Sequence, residues 1–144
     1  MRARLAALAG VLPVLESSTE AEFGTWVRST QGDDGVWTMP YVDYGPTREA
    51  FTAAAGRGEW VRPDVDWTAW AQTDEARAIH AKPSRIAAAS PLQLAQLVTT
   101  FVRGDRFNEG YLLEAFVQGH LTAIARRAKA LVDDPAALAA ALDD

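Results

Sequence analysis

The sequence contains no cysteine and only two histidines, His80 and His120, in 144 residues. The absence of cysteine excludes a disulfide framework, a thiol nucleophile and a thiolate metal site. The two histidines are 40 residues apart, not at a helical i, i+4 spacing, so we expect no zinc and no other metal. The sequence also lacks a phosphate-binding loop, a dinucleotide fingerprint and a serine-nucleophile motif, and we expect no cofactor.

Long apolar runs are also missing. The N-terminus, MRARLAALAGVLPVLESS, places two arginines before an apolar stretch, as a signal peptide would. However, Leu5, Leu8 and Leu12 recur at helical spacing, and Pro13 interrupts a stretch already too short to span a bilayer. We therefore interpret residues 1–17 as a mature N-terminal helix. Together with the absence of cysteine, this favours a cytoplasmic protein that does not enter a membrane.

The formal net charge is −5, but the basic residues are concentrated in one part of the chain. Residues 77–129 hold eight of the 14 lysines and arginines but only three of the 19 acids. This excess permits an anionic small molecule, a protein partner or a nucleic acid, although an ordinary solvated helix surface has the same composition. Because the excess is small, we favour the first two partners over nucleic acid.

The aromatic residues lie mainly in the first half of the chain. All five tryptophans lie between residues 26 and 70. Trp26–Arg28 and Val36–Met39 are rich in β-prone residues and flank QGDDG, a typical turn composition, so we predict a short hairpin. Residues 23–66 are accordingly expected to form an aromatic-rich, irregular or extended region, with one helix inside it that starts at Pro46.

Residues 67–144 have helical periodicity and are predicted to be a helical region. Ser90 suits the start of a helix that ends near Gly104, and Asn108 suits the cap of the next helix. The composition, 49% hydrophobic and 23% charged, is that of a soluble globular protein. The predicted fold is therefore mainly α: one compact domain over residues 1–144, a helical bundle of about five to six helices with a short β-hairpin or extended segment in its N-terminal half.

The stretch VRGDRFNEG joins two of these predicted helices. Arg103 near a helix C-terminus and Glu109 near a helix N-terminus complement the helix dipoles, and Asp105 and Arg106 could simply pair across a turn. Phe107 is placed to pack on the next helix as a hydrophobic staple. Alternatively, the two arginines could clamp an anion, and the two acids could serve as an acid/base pair or bind Mg²⁺.

Two other segments carry candidate ligand-binding side chains. In MPYVDYGP, the phenols of Tyr41 and Tyr44 could donate to a ligand, although the segment is also explained as packing and a turn. Trp67 could form an aromatic wall, although such a residue is more often part of the core. We assign no catalytic residue. The candidate ligand-binding residues are Arg103, Asp105, Arg106, Glu109, Tyr41, Tyr44 and Trp67.

GVWTMPYVDYGP, VDW and LVTTFVRGDRFNEGYLLEAFVQGHLTAIARRA occur in an order that resembles an uncharacterised bacterial and archaeal family, domain of unknown function 6508. Asn108 departs from the family pattern, because such sequences often carry cysteine there. The resemblance implies a compact, mainly helical single domain, and it supplies no activity, cofactor or partner. The matching positions are Met39, Pro40, Tyr41, Tyr44, Asp66, Trp67, Arg103, Asp105, Arg106, Phe107, Glu109, Gly110 and Gly119.

Three functional hypotheses follow, and they leave open whether the protein is an enzyme. The first is a binding or regulatory module whose charged stretch binds an anionic ligand or a protein partner. The second is a hydrolase or transferase acting on a phosphate-containing substrate, with Asp105 or Glu109 as the base and Arg103 and Arg106 as the anion clamp. In the third, the charged stretch is purely structural.

Overall fold

The computed structural model describes residues 1–143 and is 65% helical. It confirms the predicted mainly α class with a small antiparallel hairpin. The elements of the described residues, in chain order, are α1 (Arg2–Ala9), α2 (Leu12–Ser17), α3 (Glu20–Phe23), β1 (Gly24–Val27), β2 (Tyr41–Tyr44), α4 (Pro46–Arg57), α5 (Trp67–Ala71), α6 (Asp74–Ala81), a 3-10 helix (Pro83–Ala88), α7 (Pro91–Gly104), α8 (Tyr111–Val117), α9 (His120–Asp133) and α10 (Pro135–Asp143).

The described residues contain ten α-helices, more than the five or six predicted, partly because predicted helical segments are divided and partly because the short α3 was not predicted. The N-terminal helix divides between Ala9 and Leu12 into α1 and α2. The predicted helical region is interrupted at Gln72 and Thr73, where the Thr73 hydroxyl accepts a hydrogen bond from the Ala76 amide and caps α6. Periodicity alone does not locate such interruptions.

Helix α9 lies at the centre of the core. It packs against α1, α2, α8, α10 and the 3-10 helix. Leu121 and Ile124 are fully buried on its inner face, and the small side chains of Ala125 and Ala128 are buried beside them. Small residues allow helix axes to approach closely, which explains why α1 makes its most extensive packing against α9.

The start of α7 agrees closely with the prediction made from the sequence. Ser90 Oγ accepts from the Gln93 amide at 3.2 Å, and the Gln93 side chain accepts from the Ser90 amide at 2.9 Å. This capping box satisfies two backbone groups that would otherwise lack partners at the helix terminus. The helix ends at Gly104, close to the predicted position.

The start of α8 differs from the prediction. Asn108 does not cap it; α8 begins after Gly110, which has a φ of +81°. This left-handed conformation favours glycine. The predicted staple is also absent, because the Phe107 side chain is 82% exposed and does not pack on α8. The turn therefore extends two residues further than local cap chemistry indicates.

The hairpin has its second strand later in the sequence than predicted. Strands β1 and β2 are antiparallel, and Val27 pairs with Tyr41. The predicted segment Val36–Met39 lies nearer the tip, where Trp37 forms an isolated bridge with Gln31. Pro40 separates this bridge from β2, because proline has no N–H to contribute to a ladder. Residues 28–40, together with β1 and β2, are called the hairpin below.

None of the helices within residues 1–143 combines the length and the apolar character that a membrane crossing requires.

His120 is a titratable side chain inside the core, with no exposed surface. Its Nε2 lies 2.9 Å from the His80 carbonyl oxygen. Because a carbonyl only accepts, Nε2 carries the proton and donates it. Nδ1 is buried and has no hydrogen-bond partner among the described residues. Burial lowers the pKa of His120 below its usual value, so the folded protein holds this imidazole neutral.

We expect the buried His120 to make the protein less stable in acid. The unfolded chain binds a proton at this position below about pH 6.5, whereas the folded chain resists protonation. The stabilisation is therefore complete above that pH and decreases as the pH falls. His120→Gln, which keeps a donor for the His80 carbonyl, should show a smaller loss of unfolding free energy between about pH 7.5 and about pH 5, measured by urea denaturation. Equal losses in both proteins would contradict this account.

Candidate functional site

The charged stretch forms a tight turn between α7 and α8, called the corner below (residues 103–110). The amides of Phe107 and Asn108 both donate to the Gly104 carbonyl at 3.0 Å. The Arg106 amide donates to the Arg103 carbonyl at 3.2 Å. These bonds satisfy the backbone of the turn and hold its side chains in a defined arrangement.

Asp105 connects the corner to β2 and to α8. Its Oδ1 accepts from the Tyr44 hydroxyl at 2.7 Å and from the Leu112 amide at 3.0 Å. Leu112 lies in the first turn of α8, where backbone N–H groups have no partner within the helix. A single carboxylate oxygen therefore satisfies a helix terminus and binds a strand that lies 61 residues earlier in the chain.

Glu109 makes a second connection to the hairpin. Its Oε1 accepts from the Val42 amide of β2 at 2.8 Å. Next to it, Trp26 of β1 lies against Gly110, where an added Cβ would come within 2.3 Å of Trp26 Cζ2. Both strands of the hairpin thus contact the corner, and only glycine fits at position 110.

The Tyr44 side chain is held between aromatic and charged groups. Its ring meets the Phe23 ring edge-on, with centroids 6.0 Å apart, and the Arg48 guanidinium lies 4.8 Å from its centroid. Burial, reinforced by the hydrogen bond to Asp105, raises the pKa of Tyr44 far above its usual value. The phenol therefore remains protonated and serves as a donor.

The two arginines of the corner are placed differently from the carboxylates. Arg106 is exposed, and Arg103 is partly buried with an Nε that has no hydrogen-bond partner within residues 1–143. Neither forms an ion pair with a described residue, so the pairing of Asp105 with Arg106 considered from the sequence is not formed. The carboxylates accept hydrogen bonds within the fold, whereas the exposed guanidinium of Arg106 remains available.

Trp67 contacts the corner by stacking on the Phe107 ring. Their rings stack with centroids 6.0 Å apart at an interplanar angle of 26°. Gly104 lies close to two aromatic rings, since an added Cβ there would be 3.6 Å from Trp67 and 2.9 Å from Tyr111. Tyr41 pairs with Val27 at the outer end of the strands, and half of its side chain is exposed.

The structure places six of the seven candidate residues in or against the corner, whereas the Tyr41 side chain lies on the exposed face of β2. Tyr44, Asp105 and Glu109 belong to the bonds between β2 and the corner. Trp67 contributes through its stack, and Tyr41 lies further along β2. Two supporting side chains, Trp26 and Arg48, were not predicted. No local pattern marks them, because their partners are distant in the sequence.

Within residues 1–143, no three histidine, aspartate or glutamate side chains are arranged to hold a metal ion. The acids of the corner accept hydrogen bonds from Tyr44, Leu112 and Val42 instead. The geometry therefore offers donors for an anion and aromatic surface for contact.

The fold and the site define a mainly helical domain with a β-hairpin bound to a charged corner. The chain belongs to a family of unknown function, DUF6508, whose family model matches residues 1–134. The resemblance inferred from the sequence segments is therefore confirmed. No curated protein and no solved structure matches the chain.

We expect Asp105→Ala to lower the free energy of unfolding by about 2–3 kcal/mol, because the Leu112 amide and the Tyr44 hydroxyl lose a charged acceptor. Asp43→Ala is the matched control. Asp43 is an exposed acid of β2 that pairs with Thr25, and its substitution should change the stability by less than about 0.5 kcal/mol. Urea denaturation at neutral pH measures both. If the two variants lose the same stability, Asp105 does not hold the hairpin.

Proposed function

We propose that this protein is a binding module that recognises a protein partner through the hairpin and the corner. The distribution of exposed apolar side chains carries the proposal. Of the eleven large hydrophobic side chains that are exposed among the described residues, six lie on these two segments. Monomeric proteins rarely concentrate such side chains without a binding role. The six are Trp26, Val36, Trp37, Met39, Tyr41 and Phe107.

The residue types also match those of protein interfaces. Met39 and Phe107 are each 82% exposed, and Trp37 is 63% exposed. Aromatic residues, methionine and arginine are enriched in interface cores, where a few of them carry most of the binding energy. Arg106 adds an exposed guanidinium that forms no ion pair within the described residues. It can donate to carboxylates or backbone carbonyls of a partner.

The bonds to Asp105 and Glu109 support recognition by fixing the hairpin. A two-stranded hairpin is marginally stable on its own in water. Here the Val42 amide and the Tyr44 hydroxyl tie β2 to the corner. A surface held in its binding conformation loses less conformational entropy on association, which increases affinity.

The same hydrogen bonds argue against the hypothesis that Asp105 or Glu109 serves as a catalytic base. A general base must have a carboxylate oxygen within reach of the substrate proton. Asp105 Oδ1 accepts two hydrogen bonds, and Glu109 Oε1 accepts one from the backbone. The second oxygen of each carboxylate has no hydrogen-bond partner among the described residues, but proton transfer to either acid would weaken the bonds that hold the hairpin to the corner. We therefore assign the acids to support and the arginines and aromatic residues to contact.

The double substitution Trp37→Ser/Met39→Ser tests the proposal. We expect the intact chain to capture a partner from extracts of its source cells and the double variant to bind that purified partner at least about tenfold more weakly, because central interface side chains each contribute 1 kcal/mol or more. Biolayer interferometry gives the two Kd values, and Arg106→Glu should weaken binding in the same way.

The matched control is Leu92→Ser/Val117→Ser. Leu92 and Val117 are 56% and 54% exposed but lie on α7 and α8, outside the hairpin and the corner. This control should bind the partner as the unsubstituted chain does, within about twofold. A partner that binds the hairpin variant and the control equally well would refute the proposed surface.

A further inference from the structure

A cavity of about 240 Å³ lies between α5, α6, α7 and the first residue of α8. It is separate from the hairpin. The rings of Trp70, Phe101 and Tyr111 and the side chain of Leu97 line it, and the exposed side chains of Arg77 and His80 border it. Apolar walls with a few polar groups are typical of small-molecule sites.

The free polar groups of this cavity favour an anion. Trp70 Nε1 already donates to Glu75 at 3.0 Å. In contrast, the Arg77 guanidinium, the His80 ring nitrogens and the Tyr111 hydroxyl have no hydrogen-bond partner in the part of the chain that the structure describes. Arginine and the phenol can both donate.

The charges around the cavity also favour an anionic ligand. Arg77 is the one charged side chain among the described residues that line it, and no carboxylate lines it. Two acids close by, Glu75 and Glu114, are engaged elsewhere, and Asp74, three residues before Arg77, forms no ion pair with it. Glu75 accepts from Trp70 and from Gln93, and Glu114 accepts from Gln118 at 2.9 Å. A negative group beside Arg77 would therefore meet an unpaired cation rather than displace an existing partner.

The size and the walls favour an aromatic body. A cavity of about 150 Å³ accepts benzene, so about 240 Å³ leaves room for one ring and a short polar substituent. Aromatic walls bind a flat ring through offset or edge-to-face contacts. Phe101 and Tyr111, whose centroids are 5.5 Å apart, already form part of such a surface.

The wall on the α6 side is supported by the core. The His80 ring stacks on Tyr111 and on His120, with centroids 6.4 Å and 5.1 Å away. His120 is fully buried and holds the His80 carbonyl through Nε2. These contacts fix the position of His80 at the border of the cavity, which reduces the reorganisation needed for binding.

We propose that this cavity binds a small aromatic carboxylate, with the ring between Trp70, Phe101 and Tyr111 and the carboxylate at Arg77. None of the contact residues belongs to the hairpin or the corner. The inference therefore stands or fails independently of the proposed partner-binding surface.

Benzoate and the neutral benzyl alcohol are the probes. We expect benzoate to shift the amide resonances of Arg77, Thr100 and Tyr111 in a ¹H–¹⁵N titration and to bind more tightly than benzyl alcohol. Arg77→Met should weaken benzoate binding about tenfold or more, because a charge-assisted contact is lost, and should leave benzyl alcohol unaffected. Arg85→Met, which removes an exposed arginine outside the cavity, is the matched control.

A second variant, Ala71→Phe, adds a ring to a residue that lines the cavity and should abolish binding of both probes. Arg77→Met changes an exposed side chain, and an unchanged thermal midpoint verifies that it folds. The inference would be overturned if about 10 mM benzoate, a concentration at which a ligand with a millimolar Kd is mostly bound, caused no shifts at the cavity. It would also be overturned if the two probes bound with equal affinity, or if Arg77→Met bound benzoate as tightly as the unsubstituted chain does.

Discussion

The Asp105 carboxylate joins the two parts of this molecule. One oxygen accepts from the first turn of α8 and from Tyr44, which lies 61 residues earlier in the chain. Glu109 makes a second connection to the hairpin, because its Oε1 accepts a hydrogen bond from the backbone amide of Val42, 67 residues away. The hairpin contains only two four-residue strands, too few to be stable alone. The position of the hairpin, and hence of its exposed aromatic side chains, depends on these two acids.

This constraint divides the charged residues of the corner by role. The carboxylates face β2 and α8, where buried or partly buried donors need acceptors. Arg103 and Arg106 make no ion pair among residues 1–143, and the exposed Arg106 directly precedes the exposed Phe107 in the chain. One short stretch can therefore support the fold with its acids and present a contact surface with its bases. A structural and a binding interpretation of the corner are compatible.

Local signals in the sequence were sufficient for much of the helical framework. The Ser90 capping box and the end of α7 act within a few residues, so they can be read from the chain. Asn108 was wrong as a cap because the turn continues to Gly110, whose left-handed backbone precedes α8 and whose lack of a side chain leaves room for Trp26, a residue distant in the sequence. The sequence indicates the candidate residues of the corner one by one, but it does not indicate the hydrogen bond between Tyr44 and Asp105. Spacing along a chain carries no information about partners about 60 residues apart, and the cavity beside Arg77 was missed for the same reason.

Amide hydrogen exchange at Val42 and Leu112 tests the attachment of the hairpin most directly. In the structure these two amides donate to the acids of the corner, Glu109 and Asp105. Val42 should be protected because its hydrogen bond to Glu109 joins the hairpin to the corner, and Leu112 should be protected because Asp105 is held in place to accept from the first turn of α8. Protection at neither amide, with both exchanging at the rates of an unstructured peptide, would contradict the account in which the two carboxylates hold the hairpin to the helices.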